Sequence, residues 1–280
     1  MLSRRQLLIL GLPLVFTGVV SAQETAKKKL VRIVLLGDST VIEYPPGSVR
    51  QGWGRMLSLG LQDHVRVRNM SGYALSSKTA IYQGTLKAAL KEKSDYVFIQ
   101  FGHMDSVKGH EGATAPFTEY KANLRTMIDA CNQAGTQPVL ITPMHRHRFY
   151  RERLSEELKP YAYAMRAVGR EKRVPVVDLY SASGELMERI GEVESSALFA
   201  NEGEVDLFSE KGARIMAALV LEGLRKVGPK YAELVIPESE TDDKSTSEDK
   251  EKSKGEDKEK SKGEDKEKQE KKAGAAATTR

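Results

Sequence analysis

The sequence predicts a three-layer α/β/α sandwich around a five-stranded parallel sheet. Three observations carry this. Five short apolar, β-branched runs recur along the chain, helical patterns fill the gaps between them, and about 215 residues lie between two ends of quite different composition. That length suits one domain with a full core and is too short for two large ones. Strand–helix alternation at this spacing implies right-handed crossovers and strands covered on both faces.

In chain order, Val31 to Leu36 predicts a buried strand that runs into Gly37-Asp38-Ser39. A helical pattern covers Trp53 to Leu61, and Val65 to Arg68 reads as a short second strand. Thr79 to Lys91 is helical. Tyr96 to Gln100 is a third strand ending in Phe101-Gly102-His103. Phe117 to Ala134 is helical, and Val139 to Thr142 is a fourth strand closed by Pro143. Lys159 to Glu171 is helical, Val174 to Leu179 is the fifth strand, and Glu210 to Val227 is the last helix. In such sheets ligands bind beyond the carboxyl ends of the strands. Three of the five ends carry reactive polar residues: Ser39, His103 and the group His145 to Arg148.

Both ends of the chain fall outside this pattern, so the domain is placed at residues 23–237. Residues 1–22 read as an export signal. Arg4 and Arg5 precede the apolar run Leu7 to Val20, and Val20-Ser21-Ala22 offers small residues for cleavage. Ser3-Arg4-Arg5-Gln6-Leu7-Leu8 also resembles a twin-arginine signal, so either the general or the twin-arginine route to the periplasm or exterior fits. The run is short for a bilayer span and is interrupted by Gly11, Pro13 and Gly18, so no span is expected to remain after cleavage. Residues 238–280 have 12 basic and 14 acidic residues and no aromatics, and they repeat Glu-Asp-Lys-Glu-Lys-Ser-Lys-Gly from Glu248 and again from Glu256. Gly255 and Gly263 interrupt any helix and no apolar face exists to dock one, so a disordered, solvated tail is expected.

Composition also excludes whole classes. One cysteine, Cys131, rules out a disulfide scaffold; it lies on the apolar side of a helical pattern. Residues 23–237 keep a net charge of +5, with no alternation of basic and aromatic residues, so nucleic acid is not an expected partner. Neither a P-loop nor a Gly-x-Gly-x-x-Gly fingerprint is present. The alternating His145-Arg146-His147 has no carboxylate or thiol close in sequence to complete a metal set, so neither metal nor cofactor is expected.

The chemistry begins at Gly37-Asp38-Ser39-Thr40. Glycine permits a sharp turn after the strand and would set Ser39 near a helix N-terminus, where backbone N–H groups face whatever the hydroxyl attacks. The same triplet also reads as a plain turn with a helix cap. Its companions are Gln51-Gly52-Trp53-Gly54, Asn69 with Ser76-Ser77-Lys78-Thr79, and Phe101-Gly102-His103-Met104-Asp105. Then come Thr142-Pro143 with Arg146 and Arg148, Leu198-Phe199, and Phe208 to Ala213. With these blocks in this order the sequence resembles the SGNH (GDSL-type) hydrolases, in the rhamnogalacturonan acetylesterase branch, from about Val31 to Val227. The resemblance implies the flavodoxin-like SGNH fold and hydrolysis of carbohydrate O-acetyl esters by a Ser–His–Asp triad. It also implies an oxyanion hole made from the nucleophile's N–H, a second-block glycine N–H and a third-block Asn side chain.

Aligned residue by residue, only Ser39 of that set is unchanged. The triad Asp falls on Glu204 and the triad His on Leu207; the oxyanion Gly falls on Ala74 and the oxyanion Asn on Met104. Alanine keeps a backbone N–H, and Glu keeps the charge on a longer arm. Met104 removes a side-chain donor, a loss of roughly 10²–10³ in rate. Leu207 removes the proton acceptor, and general-base help is worth roughly 10²–10⁴. These losses belong to one unit and do not multiply. A non-catalytic or strongly impaired homologue that still holds acidic or acetylated polysaccharide, of a pectin-like kind, is the first expectation.

All five histidines (64, 103, 110, 145, 147) precede residue 148, so no acid–His pair can form in the last block. His103 reads as site wall, as structural, or as a recruited base. His145 is the other candidate for a relocated base, which would make the chain an active serine esterase. The group His145 to Arg148 reads either as a solvated basic loop or as a cationic rim in which Arg146 and Arg148 hold carboxylates. Trp53, His103, His145, Arg146 and Arg148 are thus the expected substrate contacts.

Overall fold

The computed structural model describes residues 28–237. The expected leader (1–22) and the charged tail (238–280) lie outside the described residues. The strands are β1 (Val31–Gly37), β2 (Val65–Asn69), β3 (Tyr96–Gln100), β4 (Gln137–Ile141), β5 (Phe149–Tyr150), β6 (Arg153–Leu154) and β7 (Val176–Val177). The helices are α1 (Trp53–Leu57), α2 (Ser77–Tyr82), α3 (Thr85–Lys91), α4 (Lys121–Gln133), α5 (Lys159–Lys172), α6 (Leu179–Ser196), α7 (Glu210–Val227) and α8 (Pro229–Ala232). Five strands form one sheet in the order β2-β1-β3-β4-β7, every pair parallel. This is the expected α/β architecture.

Strand alternation divides the core. Ile33 and Leu35 of β1 join Trp53, Leu57, Phe98, Met216 and Val220 on one side of the sheet. Val34 and Leu36 join Val97, Ile99, Leu124, Ile128 and Val168 on the other. Successive residues of a strand point to opposite faces, so both faces of β1 are buried from Ile33 on and the sequence is apolar from Ile33 to Leu36.

Several elements differ from expectation for local reasons. The helical stretch from Thr79 to Lys91 is two helices, because Gly84 takes φ +83° between them. The stretch from Phe117 to Ala134 opens with a π-helical turn, Pro116–Tyr120. The fifth strand is only two residues long. Asp178 takes over as N-cap of α6, accepting from the Ser181 N–H at 3.4 Å and from the Ser181 hydroxyl at 2.9 Å, and ends the extended run. Neither α6 nor the hairpin β5–β6 (149–154) stood out in the sequence. Helix α6 breaks its own pattern at Gly191 (φ +84°, ψ 169°).

The last block is fixed by close approach. A Cβ on Gly212 would stand 1.8 Å from the Leu198 carbonyl oxygen, so only glycine lets α7 start against that segment. Ser209 caps α7 by accepting from the Gly212 N–H at 3.2 Å, and its own N–H donates to Leu198.

Ala74 carries a backbone signature. Its φ of +56° is left-handed, which costs an L-residue about 1–2 kcal/mol. Glycine adopts this conformation freely but loses more entropy on folding. Ala74→Gly is therefore expected to stabilise the fold by about 0.5–1 kcal/mol, measured as a rise in the urea midpoint without a change in m value.

Candidate active site

Ser39 sits beyond the carboxyl end of β1, beside the exit of β3. No helix follows it. Residues 38–42 make a single turn, with the Val41 and Ile42 N–H groups donating to the Asp38 carbonyl at 3.1 and 3.2 Å, and the first helix starts at Trp53. The expected helix N-terminus at Ser39 is thus replaced by a tight turn, because Asp38 bonds locally instead. Its Oδ1 accepts from the Thr40 N–H at 3.0 Å and the Thr40 hydroxyl at 2.7 Å.

A buried relay holds this turn. The Trp53 indole N–H donates to Gln100 Oε1 at 2.8 Å, and Gln100 Nε2 donates to Thr40 Oγ1 at 2.7 Å. The Thr40 hydroxyl then donates to Asp38. Trp53 is 1 % exposed, so it forms the wall behind the turn and does not reach a ligand, contrary to the sequence expectation. The Tyr44 hydroxyl donates to the Ser39 carbonyl at 3.0 Å. Burial pushes that phenol up to about 12, so it stays a donor at any ordinary pH. Asn69 ties the second block to the turn, with Nδ2 donating to the Val41 carbonyl at 2.7 Å.

Two backbone donors of the expected hole are open: neither the Ser39 N–H nor the Ala74 N–H donates to any group among the described residues. The Ser39 hydroxyl likewise has no hydrogen-bond partner among them. Ala74 holds the glycine-like backbone conformation, so its N–H is presented as a glycine would present it. Met104, on the loop after β3, supplies only a thioether.

Leu207 is 9 % exposed. Phe208 beside it bridges Phe199 and Gln51. Glu204 turns back on its own loop. Its Oε1 accepts from the N–H groups of Val205, Asp206 and Leu207 at 3.1, 3.3 and 3.5 Å, and its Oε2 lies 3.6 Å from Arg50 Nη2. The longer arm therefore caps the loop. Without an imidazole three residues on, the acid has nothing else to orient.

His103 is buried against Asp38. Its Nδ1 stands 3.4 Å from Asp38 Oδ2, and neither ring nitrogen makes a hydrogen bond. His145 is also buried, not solvated on a rim. It stacks on Tyr180 with centroids 3.9 Å apart, and its Nδ1 is 3.2 Å from the Ser155 carbonyl oxygen. His147 bonds the Ser195 hydroxyl and the Glu192 carbonyl at 3.0 Å. All five histidines lie in the described residues, and none hydrogen-bonds the Ser39 hydroxyl.

The basic pair divides in two. The Arg146 side chain, 11 % exposed, donates to Asp206 at 2.8 Å, Ser106 at 3.1 Å, Glu157 at 3.2 Å and the His103 carbonyl at 3.1 Å. It clasps the β3 exit loop to the last block, and its forked donors are spent on the protein. The Arg148 side chain is 54 % exposed and pairs with Glu157 at 2.5 Å. Both line a cleft of about 830 Å³ with Ser106, Lys108 and Tyr161. Arg146→Ala is expected to cost about 2–3 kcal/mol, because it leaves the Asp206 carboxylate without its ion pair and unties the β3 exit loop from the last block. Arg148→Ala should stay within about 0.5 kcal/mol. Paired urea melts check both.

Comparison with known proteins agrees with the block order. The model of the GDSL-like lipase/acylhydrolase family matches residues 35–195. A probable rhamnogalacturonan acetylesterase, YesY of Bacillus subtilis, is 35 % identical over 212 residues, covering 74 % of this chain and 98 % of that protein. This chain belongs to the GDSL-like lipase/acylhydrolase family. Its likeness to the rhamnogalacturonan acetylesterases is repeated by RhgT of the same organism, 35 % identical over 217 residues, with 72 % and 92 % of the two chains covered. Among solved structures, protein YXIM of Bacillus subtilis superposes with a TM-score of 0.64 at 27 % identity, over 71 % of this GDSL-like chain and 57 % of that one. Axe2, an acetylxylan esterase from Geobacillus stearothermophilus, shares the fold at a TM-score of 0.55 and 15 % identity, over 72 % and 96 %.

Sequence reasoning passed over Asp38, Gln100, Arg50, Asp206 and Glu157, which hold this site in place. Asp38 and Gln100 carried a usable signal. A polar residue ending an otherwise apolar buried strand needs a partner, and adjacent parallel strands bring the two exits together.

Proposed function

We propose that this GDSL-like chain is an exported, rhamnogalacturonan acetylesterase-like protein that binds acetylated or acidic polysaccharide and hydrolyses it slowly or not at all. One observation carries the reading: Leu207 stands where the family's base is expected, and no imidazole among the described residues reaches the Ser39 hydroxyl. A serine without a base is a weak nucleophile. The open N–H groups of Ser39 and Ala74 support retention of a carbonyl oxygen, and the intact Trp53–Gln100–Thr40–Asp38 relay supports a site kept in shape. The names of YesY and RhgT support the sugar class. Export rests on the leader sequence.

The test is retention of the acetyl group. The protein is incubated with acetylated rhamnogalacturonan oligosaccharide and with its deacetylated counterpart, and mass spectrometry follows the acetyl. Tighter binding of the acetylated form with the acetyl intact is expected. Rapid release of acetate overturns the reading.

A second reading keeps catalysis at Ser39 with His103 as base. The contact between His103 and Asp38 favours it, because a carboxylate beside Nδ1 is the arrangement that orients a catalytic imidazole. His145 is less suited, because its ring is held by Ser155 and Tyr180. The missing hydrogen bond between His103 and Ser39 weighs against this reading.

A further inference from the structure

A second polar cleft, of about 640 Å³, opens two strands across the sheet from Ser39, between hairpin β5–β6 and α6. That volume is in the range of small-ligand sites. The hairpin tip is a two-residue turn in which Arg151 (φ +50°) and Glu152 (φ +64°) are both left-handed, the pattern of a type I′ turn. It holds Tyr150 out at the rim, 70 % exposed, with the Arg151 guanidinium 5.2 Å from the ring centroid on one face. The polar groups of the cleft are mostly acceptors. A carbonyl can only accept, so His145 Nδ1 donates to Ser155 and Nε2 keeps its lone pair. That edge of the ring packs over Gly184, where an added Cβ would stand 2.9 Å from Nε2. Glu185 and Glu188 line the same cleft, exposed, one helical turn apart and without an ion pair among the described residues. Glu156 and Arg153 complete the charges and leave the cleft net acidic.

We propose that this cleft is a binding subsite for a neutral sugar ring, separate from the Ser39 site. Tyr150 stacks on the C–H face, and the Glu185 and Glu188 carboxylates with His145 Nε2 receive hydroxyl hydrogens. Three acceptors beside an aromatic face call for a donor-rich ligand with an apolar side, and the two glutamates repel a uronate.

The test titrates the full chain with xylotetraose, with tetragalacturonate and with spermidine, following the His145 and Tyr150 ring resonances by NMR. Xylotetraose is expected to shift both in the millimolar range and to bind more tightly than either charged probe. Tyr150→Ala should weaken it at least about tenfold, Tyr150→Trp should restore it, and Glu185→Gln with Glu188→Gln should weaken it and narrow the gap to tetragalacturonate. Ser39→Ala and Leu207→Ala should leave these shifts unchanged, so failure at this cleft is distinct from failure of the Ser39 reading. No shift with xylotetraose, preference for either charged probe, or unchanged binding by Tyr150→Ala overturns the proposal.

Discussion

Leu207→His together with Met104→Asn is expected to raise hydrolysis of a small activated acetyl ester at least about a hundredfold over the parent chain. The reason is that most of the site is already built. Ser39 is held by the Tyr44 bond to its carbonyl and by the Thr40–Asp38 turn, and the Ser39 and Ala74 N–H groups are open. Asparagine would return a side-chain donor to the hole, and histidine would return the proton acceptor. The two should act together more than either does alone, because a base without an oxyanion donor leaves the developing charge unsupported. Glu204 limits the gain. Its Oε1 is committed to three backbone N–H groups, which leaves only the Oε2 beside Arg50 to orient a new imidazole. Adding Glu204→Asp should raise the rate again by several-fold. Steady-state kinetics of the single, double and triple variants check this, and no gain in the double variant would mean that residue 207 does not occupy the base position.

Asp105→Ala is expected to cost at least about 3 kcal/mol. Oδ2 accepts from the Ser77 N–H at 3.0 Å, and Oδ1 accepts from the Ser77 hydroxyl at 2.5 Å and the Thr114 hydroxyl at 2.8 Å. The Tyr161 hydroxyl donates to its carbonyl at 3.0 Å. Removing the carboxylate leaves three buried donors unpaired, each worth about 1–3 kcal/mol. It also unties the start of α2 from the β3 exit loop. Burial raises Asp105 from 3.8 to about 6, outweighing the lowering by the Ser77 and Thr114 bonds. A raised folded value means that the fold favours the protonated acid. That stability is present below about pH 3.8 and is lost as pH rises through about 6. The difference in unfolding free energy between the parent and Asp105→Asn should therefore shrink from pH 4 to pH 7, as read by urea melts; a widening difference would contradict it. His145 acts in the opposite sense. Burial lowers it from 6.5, so its stability is present above that pH and is lost as pH falls through the lower folded value.

The strand–helix alternation was legible because both faces of β1 and β3 are buried and leave long apolar runs. The shorter edge pieces were not. β7 has two residues, the hairpin has two per strand, and neither length supports a period. The break at Gly84 was visible as a glycine, but its φ was not. At the site, Gly37-Asp38-Ser39 was legible because a glycine turn after a strand is a local feature, whereas the places of Ala74, Met104, Glu204 and Leu207 follow only from the resemblance of the ordered blocks to the family's pattern. What Arg146, Trp53 and His145 do was not legible. An arginine reads as a free cation until its four partners, from loops up to 60 residues away, are known. A tryptophan near a site reads as a stacking surface until its indole is found on Gln100.

The most direct measurement compares initial rates of p-nitrophenyl acetate hydrolysis by the parent chain and by Ser39→Ala at neutral pH. Equal rates at the level of the protein background are predicted. A parent rate a hundredfold above Ser39→Ala, and lost again in His103→Ala, would contradict the account and assign the proton to the imidazole beside Asp38.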